Sequence, residues 1–233
     1  NAVAYDVLFG CPGWVQALIQ ADYYIRSGDA KKILVIGADV LSRISDPHDR
    51  DSMIYADGAG AAIVEAMESE TPMGIIGHNS RSDSVEYANL LHMGYSYNRE
   101  LADKKDLYLK MNGRRLYQYA LENVPKAIKS GLDKLKLHVN DVKKVLIHQA
   151  NGKMDDAILK RLFKLYGIND IPESVMPMTI SWLGNSSVAT VPTLLDMVMR
   201  GKMNGHNISS GDNLVLTSVG AGMNINSIIY RMP

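Results

Sequence analysis

The only cysteine of the chain stands where an α/β protein would place a nucleophile. Cys11 follows an apolar stretch that ends at Gly10 and precedes Pro12, a residue suited to the first position of a helix. The N–H groups at a helix start lack intrahelical partners and favour a thiolate over a thiol. We therefore expect Cys11 to act as a nucleophile, although a lone cysteine on its own is more often an inert core residue.

Two further polar residues occupy junctions of the same kind. His148 follows a predicted strand and precedes a predicted helix, and Asn185 precedes another predicted helix. Taken singly, the first is explained by a buried structural histidine and the second by a helix N-cap. Because ligands bind at the carboxyl ends of strands in open α/β sheets, we expect Cys11, His148 and Asn185 to share one site.

The elements that position these residues are strands alternating with helices. This order predicts an α/β fold, and the continuous apolar run at residues 33–37 predicts a strand buried on both faces. The boundary at residues 67–72 predicts two units, residues 1–70 with the nucleophile and residues 71–233 with the histidine and asparagine. The predicted strands cover residues 3–9, 33–37, 73–78, 142–147, 174–177, 213–218 and 224–231, and the predicted helices cover residues 13–26, 107–132, 152–166 and 186–200.

A short internal similarity predicts a duplicated fold. Gly58-Ala59-Gly60 and Gly220-Ala221-Gly222 each come after one predicted strand and lead into another. Since we expect the two blocks to contain strand, helix, strand, Gly-Ala-Gly turn and strand, they are interpreted as related halves.

Composition limits the classes of function. The 233 residues are 46% hydrophobic, enough for a large core, and the 25 basic and 25 acidic residues balance. This balance gives no support for general binding to nucleic acids or membranes. A single cysteine excludes an intrachain disulfide and a CxxC-type metal site and suits a reducing cytosol. The first residues have the pattern of an ordered element and not that of a polar, frayed terminus, so we expect this sequence to be the later part of a longer protein.

Seven segments together resemble one enzyme family. The chain is similar to β-ketoacyl-acyl-carrier-protein synthase III, an initiating condensing enzyme of the thiolase superfamily. The resemblance implies an internally duplicated α/β/α/β/α sandwich, of which this chain lacks the start of the N-terminal half. The matching segments are Gly10–Trp14, Ser27-Gly28, Asp46–Arg50, Asp57–Ala62, His148–Asn151, Gly184–Ser187 and Gly220–Gly222.

The resemblance also implies a division of chemical roles. Cys11 would take an acyl group from acyl-CoA, and His148 and Asn185 would donate hydrogen bonds to the thioester oxygen of malonyl-acyl-carrier protein as it loses carbon dioxide. The backbone N–H groups of Cys11 and Ala221 would form the oxyanion hole. Residues expected to contact substrate or coenzyme A are Arg50, Asn151, Gly220 and Gly222, and those expected to contact the carrier protein are Lys153, Lys160, Arg161 and Lys164.

The family further implies a cytoplasmic homodimer that needs no cofactor or metal, with the coenzyme A thioester serving as substrate. Departures from the family pattern leave the acyl group and the pathway open. These include Leu8-Phe9 before the cysteine and Trp182-Leu183 before the asparagine motif. Both fatty-acid synthesis and a specialised lipid or polyketide pathway therefore remain possible roles.

Two alternatives stay open at this point. A papain-like thiol hydrolase also uses cysteine, histidine and asparagine in this order, although its cysteine motif differs. The other alternative is a non-catalytic partner subunit of a condensing-enzyme heterodimer, although such subunits tend to lose the nucleophile and this chain keeps Cys11.

Overall fold

The computed structural model describes residues 2–101 and 106–233. None of the helices in these ranges is both long enough and apolar enough to cross a bilayer. In chain order the elements are α1 (Gly13–Ser27), β1 (Lys32–Val40), β2 (Asp57–Glu65), β3 (Gly74–Ser82), α2 (Ser84–Tyr87), β4 (Leu91–Gly94), β5 (Tyr108–Met111), α3 (Gly113–Lys134), β6 (Val142–Ile147), α4 (Gly152–Lys164), α5 (Ile180–Leu183), α6 (Thr190–Met199), β7 (Asn213–Gly220) and β8 (Asn224–Arg231).

A four-stranded sheet in the order β3-β8-β7-β6 lies at the centre of the molecule. Strands β6 and β7 are parallel, whereas β8 is antiparallel to both β7 and β3. Every residue of β7 is buried, as expected for a strand covered on both faces. Helices α3 and α4 supply the core on one face of this sheet, and α1 and α6 supply it on the other.

A second sheet consists of β1 and β2, paired antiparallel. Its inner face packs on α1 and α6, where Val35 lies in the same core as Trp14 and Leu194. The outer face is open: Leu34 and Ile36 are 59% and 62% exposed. The prediction that residues 33–37 are buried on both faces was therefore wrong, because no described element packs on the outer face.

The layers follow from these two cores. The β1–β2 sheet, the α1–α6 layer, the central sheet and the α3–α4 layer stack in that order. The order α1–β1–β2 is repeated by α6–β7–β8, and each pair of strands is antiparallel. The repeat differs in one detail from the prediction, since Gly58–Gly60 lies within β2 and only Gly220–Gly222 forms a turn.

Three predicted elements differ from the structure. Residues 3–9 form no strand, because none of the described strands pairs with them. The helix predicted from residue 107 begins at Gly113, since Tyr108–Met111 pairs with β4 and the Asn112 side chain then caps the helix. Residues 174–177 form no strand either: Glu173–Val175 is a 3₁₀ turn, and the carbonyl of Ser174 accepts a hydrogen bond from the Lys144 ammonium.

The remaining elements match the predictions closely. Strands β6 and β8 have the predicted limits, and α4 ends two residues early. The helix predicted over residues 186–200 begins with a 3₁₀ turn and becomes α-helical at Thr190. The division into residues 1–70 and 71–233 stays a prediction, although no helix or strand crosses residues 67–72.

Candidate active site

Cys11 lies in a tight turn that enters α1. The N–H of Gly13 donates to the carbonyl of Gly10 across 2.8 Å, which folds the backbone around the cysteine. Gly220, at the end of β7, packs directly against this turn. A Cβ atom at Gly220 would lie 2.6 Å from Pro12 Cδ and 2.9 Å from the backbone nitrogen of Cys11, so only glycine fits there.

The same close approach brings Ala221 to the cysteine turn. A Cβ atom added to Gly10 would lie 3.2 Å from the backbone nitrogen of Ala221. The two backbone segments that carry the N–H groups of Cys11 and Ala221 therefore pack against each other. This packing is compatible with the predicted oxyanion hole, whose assignment stays a prediction.

His148 is held at the end of β6 from two directions. Its backbone N–H donates to the carbonyl of Thr217 across 2.9 Å, and its ring Nδ1 lies 2.7 Å from Thr190 Oγ1. The side chain is buried, and burial lowers the pKa of His148 to about 4. The ring is therefore neutral near pH 7, and it can donate from one nitrogen only.

Gln149 fixes the loop on the other side of His148. Its side-chain nitrogen donates to the carbonyl of Ile147, and its side-chain oxygen accepts from the N–H of Thr179 at 2.7 Å and of Ile180 at 3.2 Å. This fully buried amide therefore ties the end of β6 to the start of α5.

Asn185 is positioned by the segment that precedes β2. Its backbone N–H donates to the carbonyl of Ile54, and its own carbonyl accepts from the backbone N–H of Ala56 at 2.9 Å. The side-chain oxygen of Asn185 accepts from the N–H of Ser187, also at 2.9 Å. Because that oxygen is occupied, Nδ2 is the group of the side chain that is suited to donate to a ligand.

Ser187 links the three predicted catalytic residues. Its backbone N–H donates to the side-chain oxygen of Asn185, and its hydroxyl donates to Cys11 Sγ across 3.5 Å. Its carbonyl oxygen lies 3.0 Å from the hydroxyl of Thr190, which in turn contacts the ring of His148. Ser187 has a positive φ of 53°, an uncommon conformation for a residue with a side chain. The structure thus brings Cys11, His148 and Asn185 to one hydrogen-bonded cluster.

The protonation state of Cys11 differs from the expectation. Burial raises the pKa of the Cys11 thiol, and the nearby Asp39 carboxylate adds to this rise. The Ser187 hydroxyl and the N–H of Cys11 itself oppose it without reversing it. The expectation of a favoured thiolate was therefore wrong for this structure, because desolvation of the sulfur outweighs the effect of the helix start.

The other predicted contact residues lie around this cluster or on the surface. Arg50 is exposed at the start of a 3₁₀ turn, and the side-chain oxygen of Asn151 caps α4 by accepting the N–H of Met154. Gly222 has a φ of 75° in the turn after β7. The proposed carrier-protein residues are all exposed on α4, within an arc of about 100° given 100° per residue; they are Lys153, Lys160, Arg161 and Lys164.

Sequence reasoning missed two residues of the site, Ser187 and Thr190. Ser187 lies in the Gly184–Ser187 motif, which carries part of the family resemblance, and that motif was the sequence signal for a role in the site. Thr190 had no signal of its own, because its contact with His148 depends on how α6 meets β6.

Comparison with known proteins identifies the family of the chain. Residues 5–84 match the family model of 3-oxoacyl-[acyl-carrier-protein] synthase III, and residues 132–232 match the model of its C-terminal part. The β-ketoacyl-[acyl-carrier-protein] synthase III of Microcystis aeruginosa is 34% identical over 239 residues, covering 99% of this chain and 68% of that protein.

Two solved structures show the same architecture. β-Ketoacyl-[acyl carrier protein] synthase III from Thermus thermophilus superposes with a TM-score of 0.83 at 31% identity, covering 99% of this chain and 68% of that one. The priming β-ketosynthase of the R1128 polyketide biosynthetic pathway gives a TM-score of 0.85 at 28% identity, covering 100% of this chain and 66% of that one. The predicted thiolase-like fold is thereby confirmed, and the chain belongs to the β-ketoacyl-[acyl-carrier-protein] synthase III family of condensing enzymes.

Proposed function

We propose that this chain condenses an acyl group, taken from acyl-CoA and held on Cys11, with malonyl-acyl-carrier protein, releasing carbon dioxide and a β-ketoacyl-acyl-carrier protein. The observation that carries this proposal is the cluster around Ser187, which joins the thiol, the imidazole and the amide of a family that performs decarboxylating condensation. Family membership removes the papain-like hydrolase as an alternative.

The first half of the reaction transfers the acyl group to the enzyme. Cys11 Sγ bonds to the thioester carbon, the carbonyl oxygen becomes an oxyanion, and the bond to the coenzyme A sulfur then breaks. The thiol proton of Cys11 leaves with coenzyme A as its free thiol. The N–H groups of Cys11 and Ala221 are the donors proposed for the oxyanion, and the glycine contacts at Gly10 and Gly220 allow their backbones to approach.

The second half makes the carbon–carbon bond. The malonyl group loses carbon dioxide, and the electron pair of the broken bond is delocalised onto the thioester oxygen as an enolate. Nε2–H of His148 and Nδ2–H of Asn185 are the proposed donors to that oxygen. The carbanion then attacks the acyl carbon on Cys11, and the sulfur leaves and takes up a proton.

The proposed partners follow from the family and from the surface of α4. Its exposed basic residues give a surface that is suited to an acidic carrier protein. A homodimer in the cytoplasm, working without a cofactor or metal, remains part of the proposal. The similarity to a polyketide priming enzyme supports initiation of either fatty-acid or polyketide synthesis.

A reconstituted condensation assay tests the function. The full chain is incubated with acyl-CoA and malonyl-acyl-carrier protein, and the β-ketoacyl product is measured beside Cys11→Ala, His148→Ala and Asn185→Ala. We expect no product from the cysteine variant, and losses of about 100- to 1000-fold from each of the other two. Folded wild-type chain that makes no product from any acyl-CoA would instead support a non-catalytic partner subunit.

A further inference from the structure

The hydroxyl of Thr190 lies between two hydrogen-bond partners and has one hydrogen to donate. It lies 2.7 Å from Nδ1 of His148 and 3.0 Å from the carbonyl oxygen of Ser187. A hydroxyl donates one hydrogen bond, so it can supply only one of these two atoms. The choice matters because it fixes the tautomer of the neutral ring.

The carbonyl of Ser187 does not depend on the hydroxyl. It already accepts the backbone N–H of Thr190 as that residue enters α6. Nδ1 of His148, in contrast, has the hydroxyl of Thr190 as its hydrogen-bond partner. If the hydroxyl donated to the carbonyl of Ser187 instead, Nδ1 would carry the ring hydrogen and donate it to Thr190 Oγ1. Directing the hydroxyl hydrogen to His148 also leaves no group unpaired, since the carbonyl of Ser187 keeps the N–H of Thr190, and it uses the shorter of the two contacts.

We propose that Thr190 is a positioning residue that donates its hydroxyl hydrogen to Nδ1 of His148 and thereby keeps the ring hydrogen on Nε2. In the proposed function, Nε2–H is the donor to the thioester oxygen during decarboxylation, so this inference rests on that function for its catalytic consequence. The opposite orientation would place the hydrogen on Nδ1 and leave Nε2 with a lone pair, which repels an enolate oxygen.

The fold holds both partners firmly. Thr190 is the first residue of α6 and is 4% exposed, and His148 is 3% exposed. The N–H of His148 is fixed to Thr217, and burial keeps the ring neutral near pH 7, where a tautomer is defined. The branched side chain of Thr190 has few rotamers, which fixes the direction of its hydroxyl.

Two substitutions separate the hydroxyl from the shape of the side chain. Thr190→Val keeps the branched shape and removes the hydroxyl, and Thr190→Ser keeps the hydroxyl. Nuclear magnetic resonance of the full chain with ¹⁵N-labelled histidine reports which ring nitrogen carries hydrogen. The His148 signals are assigned by their absence from His148→Gln. We expect the hydrogen on Nε2 in wild type and Thr190→Ser, and a shift of population towards Nδ1 in Thr190→Val.

The kinetic readout divides the reaction into its halves. We expect Thr190→Val to form acyl-Cys11 at nearly the wild-type rate, and to lose at least about tenfold in condensation, within the 100- to 1000-fold limit for removing the donor outright. Thr190→Ser should restore condensation.

A wild-type signal with hydrogen on Nδ1 would overturn the proposal, and so would equal condensation rates for the valine and serine variants. The wild-type spectrum decides the tautomer even if Thr190→Val fails to fold. Because that spectrum needs no turnover, failure of the proposed function would be recognised separately, as a wild-type chain that forms no product.

Discussion

At the scale of residues, the surroundings of Cys11 and His148 disfavour the charged form of each. Burial raises the pKa of the thiol and lowers the pKa of the imidazole to about 4. An ion pair of thiolate and imidazolium is therefore not the resting state. The sulfur depends instead on neutral donors, of which the hydroxyl of Ser187 is the side chain in contact.

Removing this hydroxyl should make Cys11 less reactive. We expect Ser187→Ala to raise the pKa of Cys11 further, because the hydroxyl lowers it in the wild type. Alkylation by iodoacetamide, followed across pH by mass spectrometry, should need more alkaline conditions in the variant than in the wild type. Ser186→Ala is the matched control, since the hydroxyl of Ser186 makes no hydrogen bond to the sulfur. Identical pH profiles for Ser187→Ala and wild type would refute this role.

At the scale of elements, two residues at the N-terminal end of α4 affect the stability of the helix in opposite directions. Asn151 uses its side-chain oxygen as the N-cap, whereas the family resemblance assigns it to substrate binding. Asp155, one turn later, is fully buried; its carboxyl oxygens make no well-formed hydrogen bond with the described residues, and the nearby backbone N–H groups of Asn151 and Ala150 offset its burial only in part. The cap stabilises the helix that follows His148, and the buried carboxyl opposes that stability.

The cap and the substrate role of Asn151 can be separated. Asn151→Ala should lower the free energy of unfolding by about 1 kcal/mol, the usual value of an N-cap. Asn151→Asp keeps a capping oxygen and should retain wild-type stability in urea unfolding. If the aspartate variant folds normally but loses condensation, the amide nitrogen serves the substrate. Equal stability of the alanine variant and the wild type would argue against the cap.

Asp155 should make the protein less stable as pH rises. Burial raises the pKa of Asp155 well above the 3.8 of an exposed carboxyl, so the folded state holds the proton more tightly than the unfolded state. The stability from this proton is full below about pH 4 and is lost as pH rises through the folded-state pKa.

An asparagine at this position does not titrate and should remove that dependence. We expect the free energy of unfolding of Asp155→Asn, relative to that of the wild type, to increase by about 1–3 kcal/mol between pH 4 and pH 8. Urea unfolding at each pH measures this difference. Asp156→Asn, on the exposed side of the same turn, serves as the control. A difference between Asp155→Asn and wild type that stays constant with pH would contradict a buried, titrating carboxyl.

At the scale of the molecule, a buried ion pair joins the segment after β1 to β5. Lys110 Nζ lies 2.5 Å from Asp46 and 3.3 Å from Asp49, and the ammonium also lies over the ring of Tyr97. Burial alone would raise the pKa of Asp46, but Lys110 and backbone N–H groups hold it well below its usual range. This contact fixes the loop that carries Arg50, the residue predicted to bind coenzyme A.

Lys110→Met should leave the buried carboxylate of Asp46 without its cationic partner. We expect a loss of about 3–5 kcal/mol in the free energy of unfolding near pH 7, because an uncompensated buried charge remains. The deficit should shrink as pH falls towards 4, where the stranded carboxyl can take up a proton. Lys126→Met, which breaks an exposed pair with Glu122, should cost less than about 1 kcal/mol. Equal losses from the two variants would contradict this account.

Local sequence signals predicted most of the helices and strands, and they singled out Cys11, His148 and Asn185, which the structure brings to one cluster. Apolar periodicity identified α1, β6 and β8, since each is specified by its own residues. It could not show that β1 has an open outer face or that Tyr108–Met111 pairs with β4, because both depend on residues outside the local segment. The contacts of Ser187 and Thr190, and the burial that raises the pKa of Cys11, likewise arise only when separate elements meet.

The central claim is that Cys11 carries the acyl group, and intact-mass spectrometry tests it most directly. The full chain and Cys11→Ala are each incubated with a panel of acyl-CoAs, without the malonyl substrate. We predict a mass increase of one acyl group on the wild type, absent from Cys11→Ala, with the preferred acyl-CoA revealed by the extent of labelling. A folded wild-type chain that gains no acyl group, or a Cys11→Ala variant labelled as fully as the wild type, would contradict the account.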